Sequence, residues 1–404
     1  MEATSNSEHK ESLITVGNYN LLPLAVMYGA NSSGKSNVIK AFMFFKYMII
    51  ESIKNDRDSK LTYDSFQLDE TTKDSPLFFE MQFIIDNKTY RYGFESNDKG
   101  ILAEWLFEKG NRKENLLFDI ENGKITIDEK HFSEAKGFNN IYLGNKLFLP
   151  LVEQQSKKAN KSKKIMRWFK MSLNTISGIN ERGYEGFTLE MLGKRQKDYS
   201  LAINFFKKLE LGFSDYKIEK HKAADLKKEL AQKENNYTSE ELSKIPDDAI
   251  MVNTFTQHSV ALKNGNTKTE FFEEDNMESE GTKKIISLSG PIFDTLKDGN
   301  VIIIDELDAK LHPFITREIV KLFTNKDTNP NGAQLIFATH DTNLLDLSIL
   351  RRDEIWFTEK DKAESTDLYS LAEFKQPDGS KIRKDASLEK NYINGRYGAI
   401  PFIN

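Results

Sequence analysis

Apolar positions first gather at residues 21–28 (LLPLAVMY), a run that stops at a glycine and gives way to GANSSGKS and then a long apolar-rich stretch. A continuous apolar run of that length reads as a strand buried on both faces, and the stretch beyond the loop is long enough for a helix, so strand, loop and helix are predicted in that order. The most apolar window, 42–50 (FMFFKYMII), is interrupted by Lys46. It falls far short of the roughly 20 residues that cross a bilayer and is predicted as a buried helix. From residue 77 to 107 the pattern shortens to alternating runs, FFEMQFII and TYRYGFES, around Asp86-Asn87-Lys88, which signals a hairpin. ILAEWLF and ENGKITID add further short strands.

Between about residues 151 and 276 the chain turns polar, charge-dense and helical in character, as in DLKKELAQKENNYTSEELSK, without a sustained heptad repeat. An inserted helical lobe is predicted, too short and too weakly patterned for a long coiled-coil arm. From Ser279 onward α/β punctuation returns: VIIID at 301–305, a helix after Pro313, QLIFAT at 334–339 and EIWFTEK at 354–360. These pieces are expected to resume the N-terminal sheet. The expected organisation is one α/β head split by an insertion: 1–150 with an antiparallel β subdomain, 151–276 as the lobe, and 277–404 completing the head.

Composition narrows the classes. Of 404 residues 38% are apolar and 29% charged, with 57 Lys+Arg against 62 Asp+Glu, which fits neither a membrane protein nor a disordered tail. The net charge of -5 argues against wholesale coating of nucleic acid, though not against a local patch. No cysteine is present, which removes disulfides, zinc-thiolate sites, iron–sulfur clusters and thiol nucleophiles and points to a reducing interior. The first dozen residues, MEATSNSEHKES, hold no apolar stretch of the signal-peptide kind, so a cytoplasmic location is expected.

Gly29-Ala30-Asn31-Ser32-Ser33-Gly34-Lys35-Ser36 matches G-x-x-x-x-G-K-[ST] between predicted strand and helix. Glycines let backbone N–H groups wrap a phosphate, and the helix start at Asn37 adds partial positive charge. Lys35 is expected to reach the β and γ phosphates, and Ser36 to place its hydroxyl on Mg²⁺. Val301-Ile302-Ile303-Ile304-Asp305-Glu306 supplies a buried strand ending in two acids. Asp305 suits the magnesium shell, and Glu306 is placed to orient or deprotonate an attacking water. His340, in Ala338-Thr339-His340-Asp341, follows another apolar strand and is expected to sense the γ-phosphate, whereas His312, before Pro313, is expected to cap the next helix. Ser279 and Gly281, in Glu278-Ser279-Glu280-Gly281-Thr282-Lys283-Lys284, read either as a plain helix cap or as donors presented to a γ-phosphate by a second subunit. The order of these segments describes an ABC-type P-loop ATPase head.

The chain resembles the RloA-like (AbiL-type) bacterial ATPases, AAA/ABC-hybrid proteins of phage-defence and restriction-associated loci with SMC- and OLD-like heads. The resemblance is carried by YGANSSGKSNVIKAF, ESEGTKK, VIIIDELDAKLHP, QLIFATHDTNLL, RRDEIWF and GRYGAIPFI, which span the whole chain. It implies ATP and Mg²⁺ as cofactors and nucleotide-dependent homodimerisation, with Ser279 and Gly281 of one head acting in trans on ATP held by Lys35 of the other. It also implies that Asp308 is the D-loop aspartate and Gln67 the Q-loop glutamine. Members are often encoded beside an RloB-like protein of Toprim-type nuclease fold, which makes a separate effector chain the expected partner. Members usually begin with an extra strand ahead of the position of Met1, so adenine contacts are expected to be reduced here. The alternative is an SMC- or RecF-like ATPase of DNA maintenance.

Two charged patches bear on partners. Residues 156–170 (SKKANKSKKIMRWFK) hold seven basic and no acidic residues, with Trp168 and Phe169 at one end, and are read either as a solvated helix whose Trp and Phe pack on the lobe or as a DNA or RNA track. Residues 270–280 hold six acidic residues and are expected as a solvated loop.

Overall fold

The structure is a computed structural model; it describes all residues except 56–59, 111–112, 142, 181–182, 195–196, 231–243, 245, 376–381, 384–385 and 401–404. The chain forms two compact units. The first comprises Met1–Gly178, Thr295–Asp308 and Ile319–Asn404; the second comprises Ile179–Asp294 and Ala309–Glu318. Among the described residues no helix is long and apolar enough to cross a membrane.

The first unit opens with a hairpin of β1 (Ile14–Val16) and β2 (Tyr19–Leu21), then β3 (Leu24–Gly29) and helix α1 (Lys35–Glu51). Every position of β3 is buried, as expected for a central parallel strand covered on both faces. In α1 the window 42–50 is helical, with Phe45, Met48 and Ile49 in the core. A five-stranded antiparallel meander comes next: β4 (Leu77–Ile85), β5 (Lys88–Asn97), β6 (Gly100–Lys109), β7 (Glu114–Glu121) and β8 (Lys124–Ile127). Ile85 pairs with Lys88 across the predicted hairpin, and Asp86 and Asn87 both take positive φ, 51° and 61°. That is the conformation a two-residue turn matching the strand twist requires, and Asp and Asn tolerate it best.

Two short helices, α2 (Phe148–Gln155) and α3 (Lys161–Met171), then lead into β9 (Leu173–Ser177). Their N-termini are capped by remote carboxylates. Buried Glu104 accepts from the backbone N–H groups of Phe148 and Leu149 at 2.5 and 3.0 Å, and Glu134 accepts from Asn160, Lys161 and Ser162 at 2.7, 2.8 and 2.6 Å. Each satisfies donors a helix start otherwise leaves open. Phe45 of α1 stacks on Phe94 at 5.5 Å and meets Phe169 of α3 edge-on at 5.8 Å, within one core that also holds Ile303 and Ile336.

The central sheet is completed by β13 (Val301–Asp305), β14 (Gln334–Ala338), β15 (Ile355–Lys360) and β16 (Thr366–Ser370), in the order β16-β15-β3-β14-β13-β9. All its pairings are parallel except β15 with β16. The N- and C-terminal parts therefore share one sheet, and the fold is the expected α/β P-loop ATPase head with an antiparallel β subdomain.

The RRDE segment has a structural role. Buried Arg351 forks Asp353 at 2.8 Å twice and donates to carbonyls of Thr4, Asn6 and Glu8, while Asp353 accepts the Thr4 N–H and hydroxyl at 2.8 and 2.7 Å. This buried pair clamps the N-terminal strap onto the sheet.

The second unit corrects the expectation of a purely helical lobe. It contains helices Glu185–Gly193 and Lys197–Lys208, but also an antiparallel sheet of β10 (Tyr216–Lys222), β11 (Ile250–Ala261) and β12 (Thr267–Glu273). Strands such as YKIEKHK and TKTEFFE carry Lys and Glu on both faces and few apolar residues on either, so no clear period of two shows and the charge density reads as helix-like. Conversely α2, α3 and β9, which the sequence pattern places at the boundary of the lobe or within it, belong to the first unit. Most of DLKKELAQKENNYTSEELSK, and the last residues of GRYGAIPFI, lie outside the described residues.

The basic stretch takes its solvated-helix reading, with the two rings packed inward, whereas the acidic stretch departs from expectation. Phe169 is buried and Trp168 stacks on Phe83 at 4.4 Å, so these rings belong to the core rather than to a base-stacking platform. Lys161 pairs with Glu108 at 2.6 Å and Lys164 with Asp86 at 2.6 Å. In the acidic stretch, Glu274 is buried against the Tyr216 hydroxyl at 2.5 Å and Glu278 pairs with His258 at 3.0 Å, so it is the end of a strand and the short helix Glu274–Met277 rather than a solvated loop.

Candidate functional site

The loop between β3 and α1 forms a nest whose first and last glycines are dictated by space. At Gly29 a Cβ would come within 2.3 Å of both the Ser33 and Thr358 hydroxyls; at Gly34, where φ is 109°, it would meet Thr366 at 2.1 Å. Ser33 and Thr358 hydroxyls are 2.6 Å apart, and Thr366 donates to the Ser33 carbonyl at 3.0 Å. A trans peptide points its C=O and N–H in opposite directions, so holding the Ser33 carbonyl against β16 aims the Gly34 N–H away from β16. Asn31 and Ser32 are exposed, Ser32 with φ 65°, while Ser36 is half-buried and Asn37 exposed at the start of α1.

Lys35 is buried, and its ammonium donates to the carbonyls of Gly29 and Ala30 at 2.7 and 3.1 Å. Burial lowers its pKa, and the negative charges of Asp305, Glu306 and Asp308 oppose that shift. The lysine of the loop thus lies within electrostatic reach of the three carboxylates at and just after the end of β13, although β14 separates β3 from β13. Asp305 keeps a buried carboxylate oxygen, Oδ1, without a hydrogen-bond partner. An orphaned buried anion at a strand end, beside a serine-bearing phosphate loop, is the donor set magnesium takes, since that ion keeps most of its waters.

Glu306 adopts φ 54°, a strained conformation for a residue with a side chain. Its backbone is supported by Gly178, whose N–H donates to the Asp305 carbonyl at 2.6 Å and whose Cβ, if present, would lie 2.1 Å from the Glu306 carbonyl oxygen. Asp308 Oδ2 accepts the His340 N–H at 3.2 Å, and the Leu307 N–H reaches the Ala338 carbonyl at 3.2 Å. The turns after β13 and β14 are thereby tied together. The His340 side chain is exposed, and the Tyr28 hydroxyl anchors the next residue through the Asp341 carbonyl at 3.1 Å.

The remaining predicted residues have other described contacts. Ser279 caps the helix Glu280–Asp298, its hydroxyl accepting the Thr282 N–H at 3.1 Å, and Gly281 approaches the Lys310 carbonyl so closely that a Cβ would lie 2.8 Å from it; both belong to the second unit. His312 caps the helix Pro313–Thr324, its Nδ1 accepting the Phe314 N–H at 3.3 Å. Gln67 is exposed and donates to Ser65, 2.7 Å to its hydroxyl, with no described contact to the phosphate loop.

Gly178, Thr358, Thr366 and Tyr392 support the site and were not singled out from sequence. Tyr392 stacks on Phe357 at 5.5 Å, and burial raises its hydroxyl pKa against the backbone N–H of Gly29. A glycine directly after the strand-like LNTIS is a signal that could have found Gly178. The two threonines carry none, because strand threonines are common.

Among solved structures, the chain is similar to the SMC head bound to the C-winged helix domain of ScpA, at 14% identity over 87% of this chain and 92% of that one, with a TM-score of 0.40. It is similar to the SMC head domain from Thermotoga maritima, at 12% identity over 89% and 95%, TM-score 0.40. It also matches cbiO1 from Clostridium perfringens, part of the ABC transporter complex cbiONQ, at 12% identity over 86% and 82%, TM-score 0.28. No curated protein matches. The family model described as "AAA domain, putative AbiEii toxin, Type IV TA system" matches residues 24–346, most of the chain, and the protein belongs to that family.

Proposed function

We propose that this AAA/ABC-type head is a magnesium-dependent ATPase that works as the nucleotide-driven sensor or regulator of a bacterial anti-phage system. The observation that carries it is a glycine-lined nest whose buried Lys35 lies within electrostatic reach of Asp305, Glu306 and Asp308, with a carboxylate oxygen of Asp305 buried and without a hydrogen-bond partner. Lys35 and the loop amides neutralise phosphate charge, with Ser36 and Asp305 holding the metal. Bound magnesium would draw charge from the β and γ oxygens. Glu306 is the base that orients water, and His340, tied through its backbone to Asp308, senses the terminal phosphoryl group. Ser279 and Gly281, at a capped helix start, act in trans across an ATP-sandwiched homodimer, and Asp308 links the two sites.

In this reading the effector is a separate chain, an RloB-like nuclease, and the location is cytoplasmic. The family description, which names a toxin of a toxin–antitoxin system, fits a defence role. The SMC- or RecF-like alternative needs a nucleic-acid track, and it is weakened by the burial of Phe169 and the ion pairing of Lys161 and Lys164.

Glu306→Gln is expected to bind Mg-ATP with little loss, hydrolyse it at least about a hundredfold more slowly, and elute as a dimer in ATP. A variant that binds ATP yet stays monomeric by size-exclusion chromatography would sink the sandwich mechanism.

A further inference from the structure

One face of the β4–β8 meander packs on α1 and α3; the other carries, besides the charged groups of a solvated antiparallel sheet face, the aromatic rings of Phe78, Trp105 and Phe107. Phe78, 60% exposed, stacks on Trp105 at 5.5 Å. Gly93 lies beneath the indole, and a Cβ there would come within 2.5 Å of it, so the missing side chain lets the ring lie across the sheet. On the same face Arg91 sits 4.1 Å above Phe107, forked by Glu114 at 3.0 and 2.9 Å and bonded to Glu80 at 2.9 Å. An aromatic surface edged by carboxylates is a receptor for guanidinium, through the ring quadrupole and paired hydrogen bonds, and the protein's own arginine already occupies one such cradle.

A second cradle lies one step along the register. Trp105 stands opposite Asp119, Phe78 opposite Glu95, and Ala103 opposite Glu121, and cross-strand partners share a face. Glu80, already committed to Arg91, also accepts the Trp105 indole N–H at 2.7 Å. Lys124 is the cation opposite Glu121 in the register. Asp119 and Glu121 crowd one another, and burial together with that repulsion raises the Asp119 carboxyl.

We propose that this outer sheet face docks an arginine-bearing segment of a partner protein, seating a guanidinium on the Phe78–Trp105 stack beside Asp119 and Glu95. Charge selects the occupant: Glu80, Glu95, Glu114, Asp119 and Glu121 outnumber Arg91, Lys109 and Lys124 on this face, and with Glu80 and Glu114 held by Arg91 the excess falls at Glu95 and Asp119, which disfavours nucleic acid and favours a basic peptide.

The test uses the full chain and a fluorescein-labelled peptide of alternating arginine and glycine, read by anisotropy. Binding is expected, with none for the same peptide carrying citrulline. Phe78→Ala is expected to weaken it about threefold, and the triple change Glu95→Gln, Asp119→Asn, Glu121→Gln about tenfold. A control triple on exposed carboxylates elsewhere, Glu70→Gln, Asp74→Asn and Asp327→Asn, is expected to leave affinity within about twofold. Unaltered thermal midpoints exclude misfolding, and Trp105→Phe, which keeps a ring in place, is expected to retain most of the affinity. Failure of the arginine peptide to bind, equal loss in the control triple, citrulline binding, or displacement of the peptide by single-stranded DNA would each overturn the proposal.

Discussion

At the scale of single residues the phosphate loop shows how much depends on groups outside the motif. Thr366 holds the Ser33 carbonyl and Thr358 meets the Ser33 hydroxyl, so loop shape is set by two threonines some 330 positions downstream. Thr366→Val is expected to raise the KM for ATP about tenfold with kcat changed less than about threefold, and Thr366→Ser to restore it, because the lost hydrogen bond orients a donor made before chemistry begins. Equal steady-state constants in the valine variant would refute that role. Glu104 gives a pH prediction. Burial pushes it from 4.5 up to about 7, against the hydrogen bonds from Phe148, Leu149 and Tyr92 that favour the charged form. The native state then binds the proton more tightly than the unfolded chain. The resulting stability is complete below the unfolded value and is lost as pH rises through about 7, a change of roughly 3 kcal/mol. Thermal midpoints should fall between about pH 4.5 and 7, and Glu104→Gln should flatten that slope; an identical slope in the variant would count against it.

At the scale of elements, β9 matters beyond pairing. Its end places Gly178 against the backbone of Asp305 and Glu306, where any side chain would collide. Gly178→Ala is expected to displace Glu306, lowering kcat more than about tenfold while ATP affinity stays within about threefold, since a shift near 1 Å can cost about a hundredfold in rate. Titration calorimetry beside a turnover assay separates the two, and parallel loss of binding and turnover would contradict a local effect. The meander, its hairpin at Asp86-Asn87, and β3, β13, β14 and β15 were legible because their patterns are local: buried parallel strands are continuous apolar runs and tight turns demand particular residues. The sheet β10-β11-β12 was not, because charged side chains on both faces of its outer strands leave no apolar alternation to read.

At the scale of the whole molecule, a ligand that binds only the native state raises stability by mass action, about 2.7 kcal/mol at a hundredfold excess over Kd. Mg-ATP is therefore expected to raise the thermal midpoint of the full chain by several degrees and to leave Lys35→Ala unmoved; equal shifts in both would place nucleotide elsewhere. The sequence by itself determined the chemistry on offer: a glycine-lined loop with lysine and serine, a buried strand ending in two acids, and a histidine after the next strand. Those are short, contiguous signals whose residue types are demanded by phosphate and metal. Strand order, set by long-range pairing that no local pattern encodes, is what brings Lys35 within electrostatic reach of those acids. Folding likewise packs Trp168 and Phe169 inward and brings Thr358 and Thr366 against the loop and Gly178 against the backbone of Asp305 and Glu306. Their roles arise from close approach between segments far apart in the chain, and only folding brings such segments within contact.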